Sequence, residues 1–151
     1  MNIIYSCFGG AHSSIVTAAI HMGYLPIDRL PSQREILGVP FYDKAQNEEI
    51  GIPLHMGVDE KNNVIYIMGL GHNRDYYTKM TYEFYNEIMP SSKKNLLIIN
   101  VTSLLNNSTR LGGFMSRRLN LINIGRPLTV HGILKNYNYF TKLVKEVKGK
   151  I

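Results

Sequence analysis

The order of apolar and polar positions predicts a strand and then a buried helix at the start of the chain. Asn2–Ser6 is a short, mostly apolar run that leads into a glycine-rich loop, which is typical of a buried strand. Ser13 or Ser14 can cap the helix that follows. Residues 15–22 are apolar nearly all round, so this helix is expected to be buried and to end at Gly23.

Strands and helices continue to alternate along the rest of the chain, with a polar, loop-like stretch at Pro40–Pro53. The further predicted elements are a short helix Gln33–Leu37 capped by Ser32, a β-hairpin of Leu54–Val58 and Val64–Met68, a helix from about Asp75 to Met89, a strand Leu96–Val101, a helix from about Leu104 to Leu119, short strands Leu121–Ile124 and Leu128–Val130, and a final helix from Tyr137 to Val147. This order predicts a single α/β domain over residues 1–151. We expect a three-layer αβα sandwich with a mostly parallel sheet, a Gly-rich first β–α loop and one β-hairpin.

Composition places the chain among ordinary globular proteins. Of its 151 residues, 44% are hydrophobic and 19% charged, which is unlike a disordered sequence. No apolar run approaches the roughly 18 residues that span a bilayer, and the first residues lack the pattern of a signal peptide. The lone cysteine favours a reducing compartment. We therefore expect a cytoplasmic protein with no membrane partner.

The charge is positive and unevenly distributed. The net charge is +6, which favours phosphorylated or otherwise anionic partners. After Glu87 the only acidic residue is Glu146, whereas lysines and arginines continue to the end. Lysines of the final helix are typical of a solvated face. The arginines are better candidates for binding an anion, because guanidinium matches phosphate or carboxylate geometrically.

The strongest local signal is the loop Cys7-Phe-Gly-Gly-Ala-His-Ser-Ser14 between the first strand and the first helix. The unpaired N–H groups and partial positive charge of a helix N-terminus stabilise anions. Glycines let several amides turn toward one point. The predicted anion-binding residues are accordingly Gly9, Gly10, Ala11, His12, Ser13 and Ser14. The alternative is a tight strand-to-helix turn, capped by serines, that binds nothing.

Comparison with known phosphate loops excludes two of them. A Walker A motif laid on Ser6–Ser13 lacks both glycines and the lysine. A low-molecular-weight tyrosine phosphatase needs an arginine at the position of Ser13. The order strand, Cys, small-residue loop, serines, helix resembles the cysteine-phosphorylated subunits of sugar transporters over about 15 residues. Cys7 is therefore a candidate nucleophile, or equally a buried small hydrophobe.

Among the histidines, His12 is the best candidate for a chemical role. Within the loop it could contact a phosphate, act as an acid or base, or hydrogen-bond the backbone. We name Cys7 and His12 as the candidate catalytic residues. The other histidines are scattered without metal-site spacing, so no metal is inferred, and the cofactor is left open: His21, His55, His72 and His131.

A second block of motifs lies late in the chain. Together with the Cys7–Ser14 loop and Pro26…Arg29…Pro31, the blocks Gly112-Gly-Phe-Met-Ser-Arg-Arg-Leu119 and Gly125-Arg-Pro-Leu128 resemble a bacterial family catalogued as domain of unknown function 3189. The resemblance implies no activity, substrate or catalytic residue. It directs attention to Arg117, Arg118 and Arg126, at least one of which we expect to reach an anion bound at the first loop. The alternative is that these arginines lie at an exposed helix end and hydrogen-bond the free carbonyls of that helix.

Three functions follow as hypotheses. The first is binding, with or without conversion, of a phosphorylated small molecule or nucleotide at Gly9–Ser14. The second is phosphoryl or acyl transfer through Cys7. The third is a nucleic-acid or protein interaction module that uses the basic C-terminal half, although no RNA-binding signature is present. A homo-oligomer is compatible with each of them.

Overall fold

A four-stranded sheet forms the centre of the molecule. The computed structural model describes residues 1–44, 49–88 and 95–151, and the strands are β1 (Asn2–Cys7), β2 (Leu54–Val58), β3 (Val64–Gly69) and β4 (Leu96–Asn100). Their order across the sheet is β2-β3-β1-β4. β1 pairs in parallel with β3 and β4, and β2 pairs antiparallel with β3. The predicted mostly parallel sheet with one hairpin is confirmed.

Helices cover both faces of this sheet. They are α1 (Ser13–His21), α2 (Gln33–Gly38), α3 (Arg74–Ile88), α4 (Asn107–Arg117), α5 (Ile122–Lys135) and α6 (Tyr137–Lys148). Successive side chains of a strand point to opposite faces. Ile3 and Tyr5 of β1 join the core formed with α1 and α6, whereas Ile4 packs with tyrosines of α3. None of the described helices is long and apolar enough to cross a membrane.

The starts of the first two helices depend on different contacts. Ser32 caps α2 as predicted, because its hydroxyl accepts from the amide of Glu35 while the Glu35 carboxylate accepts from the amide of Ser32. The predicted cap of α1 by Ser13 or Ser14 is wrong. His12 occupies the N-cap position without a capping side-chain bond, and the Ser14 hydroxyl lies 3.2 Å from the sulfur of Cys7.

The predicted strands Leu121–Ile124 and Leu128–Val130 are also wrong, since α5 extends from Ile122 to Lys135. Leu121 and Ile124 are exposed, so this apolar run does not mark a buried strand. α5 packs closely against α4 instead, and a Cβ added to Gly125 would lie 2.4 Å from the amide nitrogen of Ser116. The glycines of the late motif block thus allow two helices to touch.

Other boundaries differ by a few residues. A 3-10 turn at Thr102–Leu104 precedes α4, and Asn106 caps α4 by accepting from the amide of Thr109. α4 runs without interruption through Gly112 and Gly113. Two predictions fall on residues outside the described ranges, namely the end of the third helix at Met89 and part of the loop Pro40–Pro53.

Candidate functional site

The glycine-rich loop lies at the carboxyl edge of the sheet, against the segment that follows β3. Gly10 has a φ of +66°, and a Cβ there would lie 2.9 Å from the amide nitrogen of Gly69, so only glycine fits without strain. The amide of Leu70 donates to the carbonyl of Cys7, and that of Gly71 to the carbonyl of Phe8, both at 2.8 Å. The segment that follows β3 therefore fixes the path of the loop.

The loop leaves a run of amides without acceptors. Within the described part of the chain, no carbonyl or side chain accepts a hydrogen bond from the amides of residues 11–15, and Val16 is the first to donate within the helix, to His12. Ala11, Ser13 and Ser14 are buried, while Gly9 and His12 are partly exposed. Solvent thus reaches the loop from the side of Gly9 and His12.

Two buried hydroxyls at this edge also lack a partner. The Oγ of Ser13 and the Oγ1 of Thr102 are the buried side-chain nitrogen or oxygen atoms without a hydrogen bond among the described residues. Ser13 begins the helix after β1, and Thr102 follows β4, the parallel neighbour of β1. Buried polar atoms are nearly always hydrogen-bonded in proteins. Because both hydroxyls lie at the carboxyl ends of two adjacent strands, this edge is a candidate site for a polar ligand.

Cys7 ends the central strand β1 and lies beneath the loop. Its side chain is buried, and its Sγ accepts from the amide of Gly10 at 3.2 Å. The Ser14 hydroxyl lies at the same distance from this sulfur. Two potential hydrogen-bond donors thus face the sulfur.

Asp43 links the loop to the late motif block. Its Oδ1 lies 3.0 Å from Nε2 of His12, and its Oδ2 accepts from Oγ of Ser116 at 2.6 Å and from Nε of Arg126 at 3.1 Å. Burial of this carboxylate alone would raise its pKa. The hydrogen bonds from His12, Ser116 and Arg126 outweigh burial and lower the pKa to about 2. Asp43 is therefore ionised at neutral pH and is a positioning residue that cannot serve as a proton donor there.

A turn after α2 delivers Asp43 to this point. Phe41 and Asp43 both have positive φ, at 66° and 57°, and the amide of Asp43 donates to the carbonyl of Ala11 at 3.0 Å. Aspartate tolerates this conformation better than most residues. The neighbouring Tyr42 packs edge-on against the ring of His12 and donates its hydroxyl to Thr129. The turn is thus attached to both the loop and α5.

Of the three predicted arginines, the structure connects only Arg126 to the first loop, through Asp43. Its side chain is 36% exposed, and its two terminal nitrogens donate to no described residue. Arg117 and Arg118 are exposed at the end of α4. α4 still approaches the loop closely, because a Cβ on Gly113 would lie 3.1 Å from Cε1 of His12.

Sequence reasoning missed Asp43, Ser116 and Thr102. Nothing in the local pattern distinguishes Asp43 from other acidic residues in loops, since it lies in a stretch without periodicity. Ser116 was inside a recognised motif, where the adjacent arginines drew the attention. A contact across 73 residues, such as that from Ser116 to Asp43, has no signature in the sequence.

His21, the last residue of α1, belongs to a separate buried network. Its Nδ1 lies 2.6 Å from the Tyr5 hydroxyl and its Nε2 lies 2.9 Å from Oδ2 of Asp59. Burial lowers the pKa of His21, although the bond to Asp59 opposes this change. The imidazole joins the first strand, the first helix and the hairpin turn, which is a structural role.

No curated protein and no solved structure shows significant similarity to the chain. A family model, in contrast, matches residues 2–149, nearly its whole length. The match includes both the loop after β1 and the α4–α5 pair that carries Ser116 and Arg126. The chain therefore belongs to the family described as Protein of unknown function (DUF3189).

Proposed function

We propose that the protein binds a phosphate-bearing small molecule at the loop between β1 and α1. The observation that carries this proposal is the pair of buried, unpartnered hydroxyls of Ser13 and Thr102 at the edge where the amides of residues 11–15 also lack acceptors. Phosphate oxygens accept hydrogen bonds from both kinds of donor. One ligand would thus satisfy groups that the protein leaves unpaired.

Charge supports the same assignment. The N-terminus of α1 contributes about half a positive charge. Arg126 has terminal nitrogens left over after its Nε is bound to Asp43. Asp43 offsets the charge of Arg126, so the amides and hydroxyls of the loop supply most of the binding, and the guanidinium adds a contact whose direction Asp43 fixes.

The test is titration of the full chain with inorganic phosphate, followed by amide chemical shifts in NMR spectra. We expect the largest shifts at residues 9–15. Ser13→Ala should weaken binding roughly ten- to a hundredfold, the effect of losing a hydrogen bond to a charged group of about 1.5–3 kcal/mol. The variant should be at least as stable as the parent, because it removes an unsatisfied buried hydroxyl. Ser108→Ala, in the first turn of α4, is the matched control.

The outcomes are distinct. Unchanged affinity in Ser13→Ala, or shifts confined to the lysines of α6, would contradict a site at the loop. Shifts along α6 together with salt-dependent binding of random oligonucleotides would favour the interaction module.

A second candidate is phosphoryl transfer through Cys7, which the donors facing its sulfur favour. In this reaction the Cys7 thiol gives its proton to solvent and the resulting thiolate attacks phosphorus. The S–P bond forms as the P–O bond to the leaving group breaks, and solvent returns a proton to the released alkoxide. Asp43 cannot supply that proton at neutral pH, because its pKa is about 2.

Two measurements test Cys7. A phosphomonoester substrate should add the mass of one phosphoryl group to Cys7, and iodoacetamide should label Cys7 faster than a free thiol unless phosphate is present. Slow labelling that phosphate leaves unchanged, without a mass shift, would leave Cys7 as a packing residue.

A further inference from the structure

A polar cleft lies at the same edge of the sheet as the loop. Its volume is about 530 Å³, within the range of roughly 300–1,000 Å³ typical of small-molecule sites. It lies between the segment that follows β3 and the end of β4, and it is lined by His72, Asn73, Arg74, Asp75, Tyr76 and Asn100. None of these residues takes part in the contacts of Asp43.

The segment that borders the cleft contacts Phe8, at the start of the loop. The rings of Phe8 and His72 meet edge to face, with their centroids 4.9 Å apart. The amide of Gly71 donates to the carbonyl of Phe8 at 2.8 Å. The loop and the cleft are therefore neighbours at this edge of the sheet.

We infer that this cleft holds the nucleoside part of a nucleoside monophosphate whose phosphate lies at Gly9–Ser14; the inference rests on the proposed function. Open α/β sheets bind such ligands outside the carboxyl ends of their strands. β1, whose loop would take the phosphate, lies between β3 and β4, whose ends border the cleft. The phosphate and nucleoside sites thus share one edge.

The lining suits an uncharged polar group. Arg74 and Asp75 carry opposite charges, so together they do not favour a second phosphate. Asn100 accepts from the amide of Thr102 through Oδ1, which orients its side chain and directs Nδ2 away from that bond. Asn73, Asp75 and Asn100 supply the donors and acceptors that ribose hydroxyls and the edge of a base require.

Aromatic surface at the cleft suits a base. Tyr76 is 59% exposed although it lies on a helix packed against the sheet, and Phe8 at the loop is 37% exposed. Exposed rings of this kind stack on nucleobases whatever the base. A sugar phosphate would leave these rings uncovered, which is why we assign a nucleoside.

The experiment is calorimetric titration of the full chain with inorganic phosphate, ribose 5-phosphate and the four common nucleoside monophosphates. At least one nucleotide should bind about tenfold or more tightly than ribose 5-phosphate, the gain expected for one stacked base. Tyr76→Ala should remove that gain and leave the affinity for inorganic phosphate unchanged. Tyr139→Ala, which alters an equally exposed tyrosine of α6, should change neither affinity.

Failure of this inference differs from failure of the phosphate site. If phosphate binds at the loop but no nucleotide binds more tightly than ribose 5-phosphate, the nucleoside assignment is wrong and the phosphate site stands. A nucleotide that shifts amides of residues 72–76 without shifting those of residues 9–15 would overturn the shared ligand. If Tyr76→Ala does not fold, Tyr76→Leu, which keeps an apolar side chain but no aromatic ring, replaces it, with the same loss of nucleotide affinity expected.

Discussion

Replacement of Asp43 by asparagine tests whether one buried carboxylate holds the loop and the α4–α5 pair together. Asparagine has nearly the same shape but no charge and only one acceptor oxygen. It can keep the bonds from Ser116 and Arg126 or the contact with His12, but not both sets. The variant therefore isolates the charge and the second acceptor without creating a cavity.

The expected loss follows from the pKa of Asp43. The hydrogen bonds lower this pKa from 3.8 to about 2 despite burial, which corresponds to about 2 kcal/mol of stability at neutral pH. A donor left without an acceptor in the variant adds to the loss. We expect the free energy of unfolding to fall by about 2–4 kcal/mol in Asp43→Asn and by less than about 0.5 kcal/mol in Asp28→Asn, an exposed control.

The measurement is urea denaturation followed by far-UV circular dichroism at several pH values. Because the folded-state pKa lies below the unfolded value, the contribution of Asp43 is complete above about pH 4 and is lost as the pH falls toward 2. Asp59 also has a pKa lowered to about 2, by hydrogen bonds from Asn63 and Lys61 that outweigh its burial. The acid-induced loss of stability should therefore become smaller in Asp43→Asn without vanishing.

Two results would refute this reasoning. One is a loss in Asp43→Asn no larger than that in Asp28→Asn. The other is an unchanged dependence of stability on pH between about 4 and 2. Either would mean that His12, Ser116 and Arg126 find equivalent partners, and that Asp43 does not organise the site.

Three further predictions concern the fold. Gly125→Ala should destabilise the protein by about 3 kcal/mol or more, because its Cβ would lie 2.4 Å from the amide nitrogen of Ser116. Gly38→Ala is the control, since a Cβ there meets no atom within 4 Å and should cost less than about 1 kcal/mol. Thermal denaturation of the two variants measures the difference. Ser32→Ala should lose about 1 kcal/mol through the capping box, and an unchanged melting temperature would contradict the cap. Because burial lowers the pKa of His21 below 6.5, the free energy of unfolding should decrease as the pH falls below about 6.5. In NMR spectra the His21 ring should titrate below pH 6.5. Titration of this ring at or above pH 6.5 would contradict the buried network.

Local rules were sufficient for much of the fold. β1, the hairpin and the amphipathic α6 follow from apolar spacing, because each element buries one face or one stripe whatever lies opposite. The start of α2 follows from Ser32 and Glu35, whose side chains each accept from the other's backbone amide three residues away. The glycine-rich loop was recognisable because it joins a strand to a helix in consecutive residues. Such features depend on neighbours a few positions apart.

The α4–α5 pair and the centre of the site depended on tertiary contacts. Residues 121–130 are apolar enough for strands, but Gly125 and Gly132 let α5 lie against α4, and that contact selects the helix. Asp43 bonds His12, Ser116 and Arg126 only because a turn with positive φ values brings its carboxylate to them.

The cleft likewise depends on the order of the strands, because its lining comes from the segment after β3 and from the end of β4, which the sheet places on either side of β1. The sequence by itself determined which segments become strands and helices wherever burial follows a period of two or of three to four residues. The tertiary structure alone decided which distant side chains meet. Their meeting depends on the order of the strands and on how the helices cross, and both are set by packing between segments that can lie 111 residues apart, as Pro26 and Tyr137 do.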